Sequence, residues 1–444
     1  MTASARRSLP GAARADLWRR VAALALTAAV VACRLPSPAP RPADQPAPLR
    51  VGTSGDYPPF TVARDGDYEG LDLDVARRFA HDAGRRLEIV RFGWPDLVAD
   101  LAAGRFDVAM GGVTMRPERA VVGTFTRPVT RAGVVVVARG PLDGPRVRLA
   151  VNAGGHLERV ARRLFPDARL VRTTDNRLLA SLVTSGDADG VVTDEVEAAG
   201  IVAALPGAVE HGPFTRDAKA YLARDPAVVA ELDAWLRARE ADGTLADLRA
   251  RWLGPARADR RSPAAADLDA VLALIDLRLA FMPAIAAAKL AAGRDVEDPA
   301  QEARVLEAAR AAADRHGLDP SGVEALFRAL LAAARAIQRA YLASPWPVDA
   351  LDLERAARPA VARVSELVIA RAADLAADGA ARASLDPARV AEGLDPLTPA
   401  ADRLAIARAL LACAMTSRTR VPEAEDNAAA LVHDHARGSR EAAR

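Results

Sequence analysis

The chain has 444 residues, about half of them hydrophobic, and its sixty basic and fifty-eight acidic side chains leave a net charge of +2. That length exceeds one ordinary core and implies two or three domains, and charge spread without a basic block leaves no footprint for nucleic acid. Only Lys219 and Lys289 among the basic residues are lysines, one in each half. Arginine is a planar five-donor fork and lysine a compact point charge, so the two are either chance survivors or positions that need a point charge.

Arg6, Arg7, Arg19 and Arg20 precede an apolar run from Val21 to Ala32, the form of a secretory signal peptide over residues 1–32. Val30-Val31-Ala32-Cys33 resembles a lipobox, which would make Cys33 the lipidated first residue of an exported, periplasmic protein held to the membrane by that anchor alone. The Pro-rich stretch that completes residues 33–48 is an extended tether. Cys413, set among Leu410, Leu411 and alanines, reads as a buried small hydrophobe. No metal site or cofactor is expected.

Over residues 49–254 short β-rich runs (Leu87 to Val90, Val134 to Val137, Val147 to Val151, Gly190 to Val192) alternate with helical stretches, which predicts α/β layers. Residues 255–266 read as a linker. From 267 to 437 only helical spacing of Ala, Leu and Arg remains, broken by turn signals at Gly293, Gly317, Pro345 and Gly393, so an all-α bundle is expected, with a short tail over 438–444.

The segments Val51-Gly-Thr-Ser-Gly-Asp-Tyr-Pro-Pro-Phe60, Tyr68-Glu-Gly-Leu-Asp-Leu-Asp74 and Gly104 to Arg119 resemble the type II solute-binding proteins. The resemblance implies a two-lobed periplasmic-binding-protein fold with two hinge strands, Thr114 and Arg119 on a ligand carboxylate, and Asp194 on a ligand ammonium. An arginine fork suits a carboxylate bidentately.

Within that fold, Gly55-Asp56-Tyr57, Trp94-Pro-Asp-Leu97, Val151-Asn152-Ala-Gly-Gly155, Asp175-Asn176, Thr193-Asp-Glu-Val-Glu197 and Lys219-Ala-Tyr-Leu222 resemble the cyclohexadienyl dehydratases. Those enzymes remove a ring hydroxyl and carbon dioxide together, which needs a general acid in a closed cavity. The resemblance gives that role to Glu197, aromatic walls to Tyr57 and Trp94, and substrate contacts to Asp56, Asn152, Gly155 and Lys219. His156 and Leu157 depart from it, standing where small polar residues are expected; His156 is either a replacement contact or a surface residue.

In the bundle, Arg278 and Lys289 are eleven residues apart, which on a continuous helix is three turns and about 20°, so both are expected on one face. Two inward cations call for an anion. With Asp298-Pro-Ala-Gln-Glu302, Phe327 to Gln338 and Arg358-Pro359, this pattern resembles the all-helical chorismate mutases of the exported type. The resemblance implies Arg278 and Arg358 on the two carboxylates of chorismate, Lys289 and Gln338 on its ether oxygen, Glu302 on its hydroxyl, and Asp298 setting the adjacent loop. Gln301, where an arginine is usual, and Ala334, where Ser or Thr is, depart from the pattern.

The two resemblances name consecutive reactions, chorismate to prephenate and prephenate or arogenate to phenylpyruvate or phenylalanine. The expected protein is a bifunctional exported enzyme with only these small molecules as partners. Its rivals are an amino-acid-binding lipoprotein of a transporter, and a ligand-sensing domain, either one fused to the mutase.

Overall fold

A computed structural model describes residues 46–142, 146–255, 262–377 and 385–415. The signal-peptide reading, Cys33 and most of the tether fall outside them, as does the chain beyond 415.

The first half forms two lobes. In the first, strands Leu87–Arg91, Leu49–Thr53 and Val108–Ala109 run parallel, and Leu222–Ala223 and Thr124–Phe125 extend the sheet antiparallel. In the second, Arg169–Thr173, Arg148–Asn152 and Gly190–Asp194 run parallel, with Val134–Ala138 and Val209–His211 completing five strands. The central strands are buried on both faces, which is why Val134 to Val137 reads as an unbroken apolar run rather than an alternating one. The chain crosses between the lobes twice, and the crossings pair as a short antiparallel ladder, Thr130–Arg131 on Ala218–Lys219.

The second half is helical: Pro263–Ala280, Met282–Ala291, Pro299–Arg315, Pro320–Ala343, Arg358–Ala377, Pro387–Glu392 and Ala400–Met415. Ser262, Asp298, Asp319 and Asp386 cap four of them through their side chains, each before a proline at the first helical position. The run expected to carry Arg278 and Lys289 on one helix is two helices, broken at Phe281 ahead of Pro283, whose ring and missing N–H disfavour a continuous helix. Pro263–Ala291 is long and apolar enough to cross a membrane, yet 78% of its most apolar window is buried inside the protein, as in a bundle's central helix. Cys413 is fully buried, and burial pushes its thiol up to about 12.

The halves share a core. Phe92, Leu97 and Phe125 of the first lobe belong to the same buried cluster as Leu274, Val364 and Leu410 of the bundle. A buried ionic network fastens the seam. Arg127, on the first crossing, donates from Nη1 to Asp267 at 3.0 Å and from Nη2 to Asp233 at 3.2 Å, and Arg237 and Arg371 complete the two acids at 2.7 and 2.6 Å. Arg131, also on that crossing, donates to Asp269 at 2.7 Å, and Arg363 of the bundle reaches the Ala120 carbonyl at 2.9 Å.

Candidate active sites

The first site lies where the crossings meet the lobes. Tyr57 comes from the hairpin Asp56–Tyr57 and Thr114 from the loop after Val108–Ala109. A Cβ on Gly112 would stand 2.4 Å from the Tyr57 ring, so the ring's position requires a glycine there. Asp194 ends a second-lobe strand and caps helix Glu195–Ala204, accepting from the amides of Val196 and Glu197 at 3.0 and 3.2 Å. Lys219 lies on the second crossing, and its Nζ donates to Tyr57 Oη at 2.9 Å, Thr114 Oγ1 at 3.1 Å and Asp194 Oδ2 at 3.0 Å. Tyr57 also donates to Asp194, so a hydrogen bond spans the two lobes.

Trp94 packs edge-on against Tyr57 at 5.8 Å and donates to Asp56 at 3.1 Å. The Arg119 guanidinium sits 5.6 Å from the Trp94 ring and donates to the Thr114 carbonyl at 2.8 Å, and burial lowers its pKa to about 10. Glu197 accepts from Thr193 Oγ1 at 2.9 Å. Burial, and then the neighbouring Asp194 charge, raise the Glu197 carboxyl to about 7. A carboxyl half-protonated near neutrality is able to donate a proton.

The structure thus brings together Tyr57, Trp94, Thr114, Arg119, Asp194, Glu197 and Lys219. Asn152 ends the strand beside Gly190–Asp194, and its amide donates to Asn176 at 2.5 Å; Gly155 opens the helix that follows. His156 is neither a surface residue nor a free contact. Its Nε2 meets Asp217 Oδ2 at 2.6 Å, because Asp217 lies on the second crossing two residues before Lys219. Asp217 went unnoticed in the sequence, although that spacing was visible. Below the site, Asp72 accepts from the Gly111 and Gly112 amides at 2.7 and 2.6 Å and from Tyr221 at 2.9 Å, and burial raises it to about 6.

The second site is a cavity of about 340 Å³ inside the bundle, lined by Arg278, Lys289, Asp298, Glu302, Gln338 and Arg358, all six of the residues expected there. The helix break between Arg278 and Lys289 does not separate them from the cavity. Arg304 and Arg335 join them, so that five cations face three carboxylates (Asp298, Glu302, Glu366), and Ile285, Val305 and Phe327 form apolar wall. An excess of cations over a partly apolar floor suits a compact organic anion.

Arg278 is fully buried, donates from Nε to Ser365 at 3.1 Å, and leaves Nη1 buried without a partner. With no acid opposite it, burial lowers its pKa to about 10. Lys289 donates to the Val296 carbonyl at 2.5 Å, and burial lowers its pKa as well. Gln338 donates to the Ala334 carbonyl at 3.3 Å and leaves Oε1 unpartnered. Arg358 holds Asp298 at 2.9 Å and Glu354 at 2.7 Å, and Glu302 accepts from Arg335 at 2.7 Å. Gln301 faces the cavity, and Arg304, one turn on, donates to it at 2.7 Å, bringing a cation to the face where the arginine is missing. Ser365 and Arg335 escaped the sequence reading, although each lies at helical spacing, seven and three residues, from Arg358 and Gln338.

Two sites on one chain, a two-lobed cleft with a buried carboxyl raised to about 7 and a cationic cavity in a helical bundle, define a binding-protein fold joined to a helical enzyme. The chain belongs to the bacterial extracellular solute-binding proteins, family 3, matched over residues 49–255, and it carries a type II chorismate mutase domain matched over residues 265–339. It is 36% identical over 220 residues to the cyclohexadienyl dehydratase of Pseudomonas aeruginosa, an alignment covering 46% of this chain and 82% of that protein. It is 27% identical over 219 residues to a probable amino-acid ABC transporter-binding protein of Haemophilus influenzae, covering 46% of this chain and 84% of the other. Among solved structures, an ancestral amino acid-binding protein, a precursor of cyclohexadienyl dehydratase, aligns at 30% identity and a TM-score of 0.43 over 46% of this chain and 94% of that one.

Proposed function

We propose that the chain is a bifunctional enzyme whose bundle rearranges chorismate to prephenate and whose two-lobed domain turns prephenate or arogenate into phenylpyruvate or phenylalanine. The observation that carries this reading is the Lys219–Asp194 pair beside Glu197. An amino-acid carrier needs a bare carboxylate for its ligand's ammonium. Here the chain's own ammonium takes Asp194, while the adjacent carboxyl is tuned as a proton donor.

In the dehydratase step Arg119 and Thr114 hold a substrate carboxylate while Tyr57 and Trp94 flank the ring. Glu197 protonates the ring hydroxyl, the C–O bond breaks and water leaves. The bond to the ring carboxylate breaks with it, its electron pair enters the ring to complete aromaticity, and carbon dioxide departs. Closure of the lobes keeps bulk water from that proton transfer.

The mutase step needs no nucleophile. Arg278 and Arg358 fix the two carboxylates, the chair-like conformer is enforced by the cavity walls, and the ether C–O bond breaks as the C–C bond forms. Lys289 meets the charge that grows on the ether oxygen, releasing the Val296 carbonyl to do so. Gln338 joins it by letting go of the Ala334 carbonyl and turning Nε2 into the cavity. Glu302 receives the ring hydroxyl.

The family is extracellular, and we extend the reading to a signal peptide over residues 1–32 and a lipid on Cys33. A Cys33→Ser variant that still partitions into the detergent phase of a membrane extract defeats the anchor.

The test of function is to supply chorismate to the purified protein. Loss of chorismate with appearance of phenylpyruvate is expected. Accumulation of prephenate alone overturns the dehydratase assignment, and unconsumed chorismate overturns the mutase.

A further inference from the structure

A separate cavity of about 150 Å³ lies where the lobes, the crossings and the bundle converge. The second lobe contributes Arg159 and Arg163 from helix His156–Leu164, the second crossing contributes Asp217, and the bundle contributes Asp276, Trp346 and Asp395. None of these groups has a part in either reaction above.

Donors and acids are interleaved around it, and neither set is closed. Arg159 donates to Glu118 at 2.7 Å; Arg159 Nε and His156 Nδ1 are buried without a hydrogen-bond partner, and Arg116 Nε, also without one, stands 3.7 Å from Glu118. Asp395 and Asp276 lie together, with the Asp395 amide donating to Asp276 Oδ1 at 3.0 Å, and Arg131 reaches Asp276 only at 3.4 Å. Burial pushes the Asp276 carboxyl up to about 8 and raises Asp395 too, the behaviour of acids short of a cation. Leu279, Pro283, Ile337 and Trp346 supply an apolar wall, and the Arg163 guanidinium stacks on Trp346 at 4.2 Å.

The charge pattern selects the ligand. With five carboxyls lining it against three guanidiniums, the cavity offers no excess of positive charge to hold a free dianion such as chorismate or prephenate. A cation alone would leave the unpartnered guanidinium and imidazole atoms unpaired. A head group with an ammonium and a carboxylate two bonds apart meets both needs, and the apolar wall takes its side chain. We propose that this junction cavity is a second small-molecule site that binds an α-amino acid with an apolar side chain, its ammonium on Asp276 and Asp395 and its carboxylate on Arg116 and Arg159. A ligand there touches the second lobe and the bundle at once, so it holds the lobe against the bundle.

The experiment is calorimetric titration of the full chain with L-phenylalanine, L-leucine, 3-phenylpropionate and phenethylamine, the last two each lacking one half of the head group. Binding of an amino acid is expected to weaken about tenfold or more in Trp346→Ala and in Asp395→Asn, the loss of one polar or stacking contact, and to survive Arg119→Gln in the lobe cleft. Trp346 is on the partly exposed loop after helix Pro320–Ala343, so its truncation does not threaten the fold. The proposal fails if the amino acid binds unchanged to both junction variants but is lost in Arg119→Gln, if 3-phenylpropionate or phenethylamine binds as tightly as L-phenylalanine, or if neither amino acid binds at millimolar concentration. Failure here leaves the two catalytic assignments standing, since they rest on other residues.

Discussion

Lys219 Nζ lies 3.0 Å from Asp194 Oδ2, with both side chains almost fully buried, so a charge that would otherwise be offered to a ligand is satisfied within the chain. Replacing Lys219 by Met strands the carboxylate. The expected cost is about 3–5 kcal/mol of stability, the range for a broken buried pair, read as a lower thermal midpoint. Dehydratase turnover is lost, and free amino acids stabilise the variant more than the parent, because Asp194 is again open to an ammonium. An unchanged response to amino acids defeats this account of the pair.

Glu197 acts as an acid only while protonated, and its carboxyl is raised to about 7. Dehydratase activity therefore falls as pH rises through about 7, tenfold per unit beyond it. Glu197→Gln lowers turnover by roughly 10²–10⁴, the usual contribution of a general acid, and its residual rate lacks that alkaline limb. A limb that persists in the variant assigns the proton to another group.

Lys289→Arg keeps the charge and moves its point of delivery. Mutase activity drops by about 10²-fold or more, the scale of removing one aimed donor, while prephenate dehydration and the thermal midpoint stay as they were. Full mutase activity in the variant would make the lysine incidental.

Asp267 receives Arg127 from the first crossing and Arg237 from the helix Pro226–Ala241, and it is 1% exposed. With a common core and this network, the chain is expected to unfold in one calorimetric transition. Asp267→Ala takes from Arg237 the carboxylate it meets and leaves Arg127 to Asp233 and Asp374, which loosens the seam, and two separate transitions are expected. A parent already unfolding in two steps contradicts the shared core.

What was legible in the sequence was what local chemistry dictates. The Val134 run, the caps before prolines and the order of motifs located both folds, and Arg278, Lys289 and Gln338 fell on one cavity. The helix break at Phe281 is also written there, in Pro283, within a run whose apolar periodicity suggests one continuous helix. Lys219, which the motif places toward a ligand, also satisfies Asp194. Its partners Tyr57, Thr114 and Asp194 lie 162, 105 and 25 residues away, and only the folded lobes bring them together. The junction cavity had no motif to announce it, because its residues come from three bodies that meet only after packing.

Arg127 and Arg131 leave the crossing between the lobes and end on acids of the helical bundle. A courier that ferries its cargo to a membrane gate must swing wide at that crossing. Pinning it from outside stiffens the crossing, and shallower openings than those of a free carrier are the expected consequence. The added domain thus bears on the mechanics of its neighbour, because it holds the crossing on which that neighbour's lobes turn.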